Sequence, residues 1–255
     1  MNYGEVAEIL GAFIGDGWIE SDKNGLYITG SPTEDREYYD SHLSVLFSQN
    51  FTTVKPKSFE YWGVYGISTY NKDVISKAMN LGFQTGRKSL VARIPDWVMN
   101  SKEEKISKSC IRGVFDTDGS FWCEKSRAKT STEWKRTNNY HPEMCISSCS
   151  KLLLDQMSSL LKTLGINSQV KQKHVKGFKN NRNLNNSYQL NIRKLSEIER
   201  FFEVIRPANL RHRTRYQVWK KLGYLPPFTI IKDRLRLLND TQLIVFGEIN
   251  GQKSK

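Results

Sequence analysis

Two aspartates occupy equivalent positions in a stretch that occurs twice in the chain. The first copy is "LGAFIGDGWI", Leu10 to Ile19, and the second is "IRGVFDTDGSF", Ile111 to Phe121. The matched pairs are Gly11 with Gly113, Phe13 with Phe115, Asp16 with Asp118, and Gly17 with Gly119. Each copy closes an apolar run typical of a helix, and a helix C-terminus carries partial negative charge that disfavours carboxylates. An acid kept there in both copies indicates a bound cation.

The two carboxylates would meet if the two helices pack side by side. Like charges and two negative helix ends would then repel each other, and a divalent cation would remove that repulsion. Mg²⁺ prefers carboxylate oxygens and keeps other coordination positions for water and phosphate. We therefore predict that Asp16 and Asp118 bind Mg²⁺ at a pseudo-twofold axis.

Small side chains support this packing of one helix against its duplicate. They recur four residues apart in each copy, a spacing that puts them on one helix face and lets two backbones approach closely. The predicted contact residues are Gly11, Gly15, Gly113 and Thr117. We also expect Gly17 and Gly119 to end the helices in the left-handed conformation.

The elements around the two motifs repeat as well, which predicts a tandem duplication of an αββαββα unit and an α+β fold with antiparallel sheets. The first motif precedes a hairpin near Leu26 to Ser31, a helix near Asp35 to Gln49, a hairpin from Val54 to Tyr70 and a helix near Lys72 to Leu81. The second precedes strands near Ser120 to Lys125 and Glu143 to Ser148, a helix from Lys151 to Leu164, a hairpin from Gln169 to Arg193 and a helix near Ser196 to Ile205. The predicted domains are residues 1–100, 101–224 and a tail of 225–255, with a helix near Lys232 to Leu238.

The charge favours a polyanionic partner. The chain has a formal net charge of +13, and the charge is uneven: residues 1–109 hold 12 Lys and Arg against 14 Asp and Glu, whereas residues 110–255 hold 27 against 12. A basic surface of this kind most often binds nucleic acid. A membrane surface is the rival partner, but no basic amphipathic helix lies beside a lipidation signal. The start lacks the features of a secretion signal, so we expect an intracellular protein that does not enter membranes.

The strand "YQLNIR" alternates polar and apolar residues, as expected for a sheet with one dry face. Its polar face carries side chain types that read base edges in the major groove of DNA. The candidate DNA-binding residues are Lys55, Lys57, Tyr61 and Tyr65 in the first half, and Gln169, Lys171, Lys173, Gln189, Asn191 and Arg193 in the second. An ordinary solvated sheet face explains the same alternation. Two polar, basic insertions, Ser126 to His141 and Lys176 to Ser187, are further candidates for binding loops.

The motifs Ile9 to Gly17 and Ile111 to Gly119 resemble those of single-chain LAGLIDADG homing endonucleases. The resemblance implies two pseudosymmetric halves joined by their motif helices in a monomer, with a saddle of strands that binds double-stranded DNA in the major groove. It also implies Mg²⁺-dependent cleavage of both strands at a long target site, as in intron homing, with Asp16 and Asp118 as the catalytic acids. The first copy departs from the motif at Ile14, where the second copy keeps Asp116.

The same resemblance implies a basic or polar side chain beside each scissile phosphate. The sequence offers "TGRKS" and "NLRHRTR", from which we select Lys88 and Arg213, although a solvated basic run is a comparable interpretation. Two other functions remain open on the same scaffold: an intron RNA maturase and a DNA-binding regulator that does not cleave. A regulator would be expected to lose the two acids, and both are present.

Overall fold

The computed structural model describes residues 1–86, 88–124, 141–173 and 186–239. The helices are α1 (Tyr3–Asp16), α2 (Arg36–Tyr38), a π-helical turn (Tyr39–Leu43), α3 (Ser44–Asn50), α4 (Lys72–Asn80), α5 (Asp96–Met99), α6 (Glu104–Asp118), α7 (Lys151–Thr163), α8 (Leu195–Val204), α9 (Leu210–Leu222) and α10 (Ile231–Asn239). The strands are β1 (Gly17–Ile19), β2 (Leu26–Gly30), β3 (Lys57–Phe59), β4 (Val64–Thr69), β5 (Gly119–Glu124), β6 (His141–Ser148), β7 (Gln169–Lys173) and β8 (Ser187–Ile192).

The strands form two antiparallel sheets of four, and the two sheets have the same topology. The first has the order β1-β2-β4-β3, and the second has the order β5-β6-β8-β7. Each sheet begins directly at the end of a motif helix, α1 or α6, so the α+β class and the duplicated unit predicted from the sequence are confirmed.

The motif helices α1 and α6 pack directly against each other, and their small residues permit the contact. A Cβ placed on Gly11 would overlap the Cys110 carbonyl oxygen and lie 2.9 Å from the backbone nitrogen of Val114. A Cβ on Gly113 would overlap the Glu8 carbonyl oxygen. Because these obstacles are backbone atoms, they cannot rotate away, and the two helices depend on glycine at both crossing positions.

The glycines that end the motif helices have a different role from the one that the sequence predicts. Gly17 has φ −96° and ψ 161°, and Gly119 has φ −76° and ψ 160°, so both are extended rather than left-handed. Each helix runs straight into a strand, and the turn folds back on the preceding aromatic residue. A Cβ on Gly17 would lie 2.8 Å from the Cα of Phe13, and one on Gly119 would overlap Phe115. Close packing, not a positive φ, requires glycine here.

The inner face of each sheet packs on the helices to form a continuous hydrophobic core. In the first sheet Leu26, Ile28 and Ile67 are completely buried. In the second sheet the equivalent face carries Met144, Ile146, Leu190 and Ile192, all within the same core. The opposite face of each sheet points away from this core, which leaves two outer sheet faces that begin beside the ends of α1 and α6.

Two helices follow the duplicated unit and connect the halves. Helix α9 was not predicted, because charged residues lie all around it rather than on one face. Helix α10 packs on α9, where Lys221 Nζ donates to the carbonyl oxygens of Leu237 and Leu238 at 3.0 and 2.8 Å. Within the described residues, no helix combines the length and apolar character needed to cross a membrane.

Candidate active site

Asp16 and Asp118 are the last residues of α1 and α6, and the packing of these helices brings them together. A Cβ placed on Gly15 would lie 3.4 Å from the carboxyl carbon of Asp118 and 3.0 Å from the Cβ of Thr117. Asp118 opens onto a pocket of about 300 Å³ that it shares with Lys88. The remaining polar lining residues include Ser147, Ser148, Cys149 and Ser187.

The protein environment opposes ionisation of both carboxyl groups. Burial raises the pKa of Asp16 to about 7, with further increases from the charges of Asp118 and Asp35 that Arg211 and Lys88 only partly oppose. Burial also raises the pKa of Asp118, against the lowering effect of Lys88 and Arg211. The Asp118 side chain reaches solvent through the pocket, so water screens part of this effect. Two adjacent acids with raised pKa values form a site that a cation would stabilise.

The donor set fits a hard cation that is held by few protein ligands. In the described part of the chain, no group of three or more His, Cys, Asp and Glu side chains lies close enough to hold a metal ion. Asp16 and Asp118 would therefore be the only carboxylate ligands from these residues, and water or phosphate oxygens would complete the coordination. Mg²⁺ commonly binds in this way.

Lys88 lies against the C-terminal end of α1. Its Nζ donates to the carbonyl oxygens of Phe13, Ile14 and Gly15, the latter two at 2.7 and 3.2 Å. Burial lowers the pKa of Lys88 to about 8, while the nearby Asp118 and Asp16 raise it. The ammonium group thus satisfies the orphan carbonyls of the motif helix and lies within the electrostatic reach of both acids.

Arg211, at the start of α9, has the same position at the end of α6. Its Nη2 donates to the carbonyl oxygens of Thr117 at 2.9 Å and Asp116 at 3.3 Å, the residues that match Gly15 and Ile14 in the repeat. Arg213 instead is exposed and lines a separate pocket with His42 and Arg112. The structure therefore places Arg211, rather than the predicted Arg213, beside the two aspartates. The two residues lie on different sides of α9 because they are two positions apart in a helix.

Buried polar contacts fix Arg211 in this position. Asp116 accepts from the backbone nitrogens of Ala208 at 2.8 Å and Asn209 at 3.1 Å, so it fixes the segment that leads into α9, whose N-cap is Asn209. Asp35, from the first half, accepts from the Asn209 side chain at 2.8 Å and pairs with Arg211 at 3.2 Å. Asp35 of the first half thus orients the Arg211 guanidinium of the second half. Burial raises the pKa of Asp116 to about 7 although the two backbone donors lower it.

Comparisons with known proteins agree with this architecture. A family model described as a LAGLIDADG-like domain matches residues 106–206, which include the second motif helix and its sheet. Solved structures of the homing endonuclease I-DmoI have a similar fold. They include its mesophilic variants, its complex with DNA and Mn, and a variant with its target DNA and Mg. Each is 16% identical to this chain with a TM-score of 0.50, and the match covers 80% of this chain and 96% of the I-DmoI chain. No curated protein sequence matches.

Residues 106–206 are similar to the LAGLIDADG-like domain, and the fold of the chain is similar to that of I-DmoI. The family model covers the second motif, and the first is supplied by α1, which packs on α6 as its duplicate. At 16% identity the likeness to I-DmoI concerns the fold, which agrees with the two sheets and paired helices described above.

The outer face of the second sheet carries the residues predicted to bind DNA there. Gln169 pairs with Asn191 and Lys171 pairs with Gln189 across β7 and β8, so these four side chains share one face with Lys173. Arg193 follows β8 and contacts Glu143 on the neighbouring strand at 3.2 Å. This face is mainly polar and basic, with the Trp122 ring of β5 also on it. The two candidate loops lie largely outside the described residues, at positions 126–140 and 176–185.

The first sheet differs from the prediction at Tyr65. Lys55 and Lys57 are exposed, and Tyr61 lies at the tip of the β3–β4 hairpin. Tyr65 instead points to the core side, is 5% exposed and donates to Asp40 at 2.5 Å. The prediction of a DNA-facing Tyr65 fails because it has the same parity as the buried Ile67 in β4.

Sequence reasoning considered Arg211 but selected Arg213, and it missed Asp35 and Asn209. The quoted run "NLRHRTR" contains Arg211, but the repeat offers no counterpart that would distinguish it from Arg213. Asp35 and Asn209 are far apart in the chain, and only the packing of the two halves joins them. The signal available was weak: Asn209 precedes a helix and is a favourable capping residue.

Proposed function

We propose that this protein is a site-specific DNA endonuclease of the LAGLIDADG homing type, which acts as a monomer and breaks both strands with Mg²⁺ as cofactor. The observation that carries the proposal is the meeting of Asp16 and Asp118 at the ends of α1 and α6, with Lys88 and Arg211 beside them. The I-DmoI structures, which share the fold, include complexes with DNA and Mn, with target DNA and Mg, and with DNA and Ca.

Bound divalent cations would activate water for attack on phosphorus and stabilise the negative charge on the leaving oxygen. The chain supplies the other requirements. Asp16 and Asp118 bind the cation from opposite halves, and the pocket beside Asp118 leaves open space for water and phosphate. Lys88 and Arg211 place one positive charge on each side of the acids, where two scissile phosphates would carry negative charge.

The two halves divide the work between the two DNA strands. The pseudo-twofold axis relates α1 to α6 and relates Lys88 to Arg211 through the helix carbonyls that they contact. A duplex placed across the outer sheet faces would therefore present one phosphate to Lys88 and the other to Arg211. The shared acids lie between them, so both strands depend on the same pair of carboxylates.

The test begins with selection, because the target sequence is not encoded in the geometry. Duplexes with a randomised segment are selected for binding in Ca²⁺, which supports binding with little chemistry, and the selected duplexes are then incubated with Mg²⁺. The proposal expects a double-strand break at a fixed position, which chelation of the metal abolishes. The double variant Asp16→Asn with Asp118→Asn should still bind the duplex and leave it uncut.

The outcomes separate this function from its rivals. Tight, selective binding without cleavage in any divalent metal would make the protein a non-cleaving DNA-binding regulator. Failure to select any duplex, together with retention of a structured RNA in the same assay, would favour the maturase function. Either result would overturn the endonuclease proposal.

A further inference from the structure

The outer faces of the two sheets differ in chemistry although the sheets share one topology. The second is mainly polar and basic, as described above. The first carries a cluster of aromatic rings, here called the aromatic face. Its members are Trp18, Tyr27, Phe59, Trp62 and Tyr70, with Tyr61 at the adjoining hairpin tip.

The rings of the aromatic face pack on one another outside the hydrophobic core. Trp18 stacks on Tyr27 with centroids 4.7 Å apart and planes within 9°, and the Trp62 ring meets both at 5.2 and 5.6 Å. Tyr27 is only 4% exposed as a result. Trp62 remains 48% exposed and Tyr61 95% exposed. The cluster is thus held in place by its own contacts and still presents apolar surface to the outside.

Two of the hydroxyl groups on the aromatic face already contact each other. The Tyr27 hydroxyl donates to Glu20 at 2.9 Å and lies 3.3 Å from the Tyr70 hydroxyl. The Lys57 ammonium lies over the rings of Phe59 and Tyr70, at 5.1 and 5.7 Å from their centroids. Rings thus predominate on this face, beside the cations Lys55 and Lys57, whereas amides and cations predominate on the second sheet, whose outer face carries the Trp122 ring.

The aromatic face is continuous with the candidate active site. Trp18 lies two residues after Asp16, and its counterpart in the repeat, two residues after Asp118, is Ser120. Both outer faces therefore begin at the two acids and extend away from them on either side. A duplex cut at the acids would lie with one half-site on the polar face and the other on the aromatic face.

We infer that the first half recognises its half-site through the 5-methyl groups of thymine, so that this half-site is rich in thymine. The inference rests on the proposed endonuclease function. The thymine methyl is the apolar group that base pairs present in the major groove, where side chains such as Phe contact it. The face of an aromatic ring is electronegative and attracts the weakly positive hydrogens of such a methyl group. The paired hydroxyls of the aromatic face are poorly suited to read polar base edges.

Replacement of thymine by uracil tests this inference, because it removes the methyl group and leaves the pairing and hydrogen-bonding pattern unchanged. Duplexes selected in Ca²⁺ are resynthesised with uracil in one half-site at a time, and Kd is measured for each. Uracil in the half-site on the aromatic face should weaken binding about 4-fold for each buried methyl lost. Uracil in the other half-site should change Kd less than about 2-fold. Equal effects in both half-sites, or none in either, would overturn the inference.

The variant Tyr61→Ala assigns the effect to the aromatic face. Tyr61 is 95% exposed and meets the Trp62 ring at a centroid distance of 6.4 Å, so its loss should not unfold the hairpin. Its removal should reduce the difference between thymine and uracil duplexes, whereas Phe228→Ala, at another fully exposed ring, should leave it unchanged. An unchanged thymine preference in Tyr61→Ala and in Trp62→Ala would contradict the assignment. Failure of all duplexes to bind would instead reject the proposed function itself.

Discussion

Asp16 and Asp118 occupy positions that are electrostatically costly, and the structure shows what compensates for them. The carbonyl ends of α1 and α6 are satisfied by Lys88 and Arg211, and a cation at a helix C-terminus contributes at most about 2 kcal/mol in partly buried geometry. From the sequence, a bound metal ion was the only compensation expected. The side chains of Lys88 and Arg211 supply part of this compensation, yet burial still raises the pKa of Asp16 to about 7.

The raised pKa of Asp16 predicts a pH-dependent stability. An acid whose pKa is higher in the folded state than in the unfolded state contributes its full stability below pH about 4 and loses it as pH rises through about 7. Asp16→Asn should therefore raise Tm by a few degrees at pH 8 and have little effect at pH 4. Thermal melts of the metal-free protein check this, with the exposed Asp22→Asn as a control that should change neither value. A lower Tm for Asp16→Asn at pH 8 would contradict the conclusion that the ionised Asp16 carboxylate destabilises the fold.

The contacts of Arg211 predict that it, and not Arg213, assists cleavage. Arg211→Met should slow cleavage of one strand at least about 10-fold and cause nicked DNA to accumulate, because only one phosphate would lose its cation. Arg213→Met, on the other side of α9, should cleave both strands normally. Strand-labelled single-turnover kinetics measure both effects, and Arg211→Lys should restore part of the rate. The reverse pattern would return the role to Arg213.

At the scale of elements, the crossing of α1 and α6 sets the distance between the acids. Gly11→Leu would force a side chain into the backbone of α6, so we expect it to destabilise the fold by about 3 kcal/mol or more. Ser76→Leu provides a matched control, since it enlarges an exposed position of α4 and should change stability by less than about 0.5 kcal/mol. Urea unfolding measures the difference. Equal stability of Gly11→Leu and the parent would rule out the close helix crossing.

Helix α10 connects the halves through a buried arginine. Arg234 is completely buried, donates to Thr214 of α9 at 2.9 Å and pairs with Glu34 of the first half at 3.0 Å. We expect Arg234→Met to lower the free energy of unfolding by about 2 kcal/mol, because Thr214 and the half-buried carboxylate of Glu34 lose a charged partner. Arg215, 3.5 Å from Glu34, keeps part of the pairing. Arg236→Met, at an exposed position of the same helix, should have little effect. Similar stabilities for the two variants in urea unfolding would show that α10 does not hold the halves together.

The overall architecture of the molecule could be predicted from the sequence mainly because the sequence contains an internal repeat. Two matched motifs followed by equivalent hairpins and helices were enough to predict the αββαββα unit, because each element has a local pattern. The contact between α1 and α6 could also be predicted from local spacing, through the small residues Gly11, Gly15, Gly113 and Thr117. Helix α9 was missed because its buried positions are His212, Thr214, Val218 and Trp219, which do not form an apolar pattern.

Contacts between the halves could not be predicted in the same way. Asp35 approaches Arg211, and Glu34 approaches Arg234, only after both sheets and both motif helices have packed. The aromatic face likewise brings together residues of three strands and a hairpin tip, and no single run of the sequence shows it.

Strand-labelled cleavage by single aspartate variants tests the central claim most directly. The claim is that Asp16 and Asp118, one from each half, form a shared metal-dependent centre. Selected duplexes are labelled on either strand and incubated with Asp16→Asn or Asp118→Asn in Mg²⁺, while binding is measured in Ca²⁺. Either variant should lose cleavage of both strands and retain the Kd of the parent within about 3-fold. Full activity of Asp118→Asn, or loss of only one strand in each variant, would contradict the shared centre.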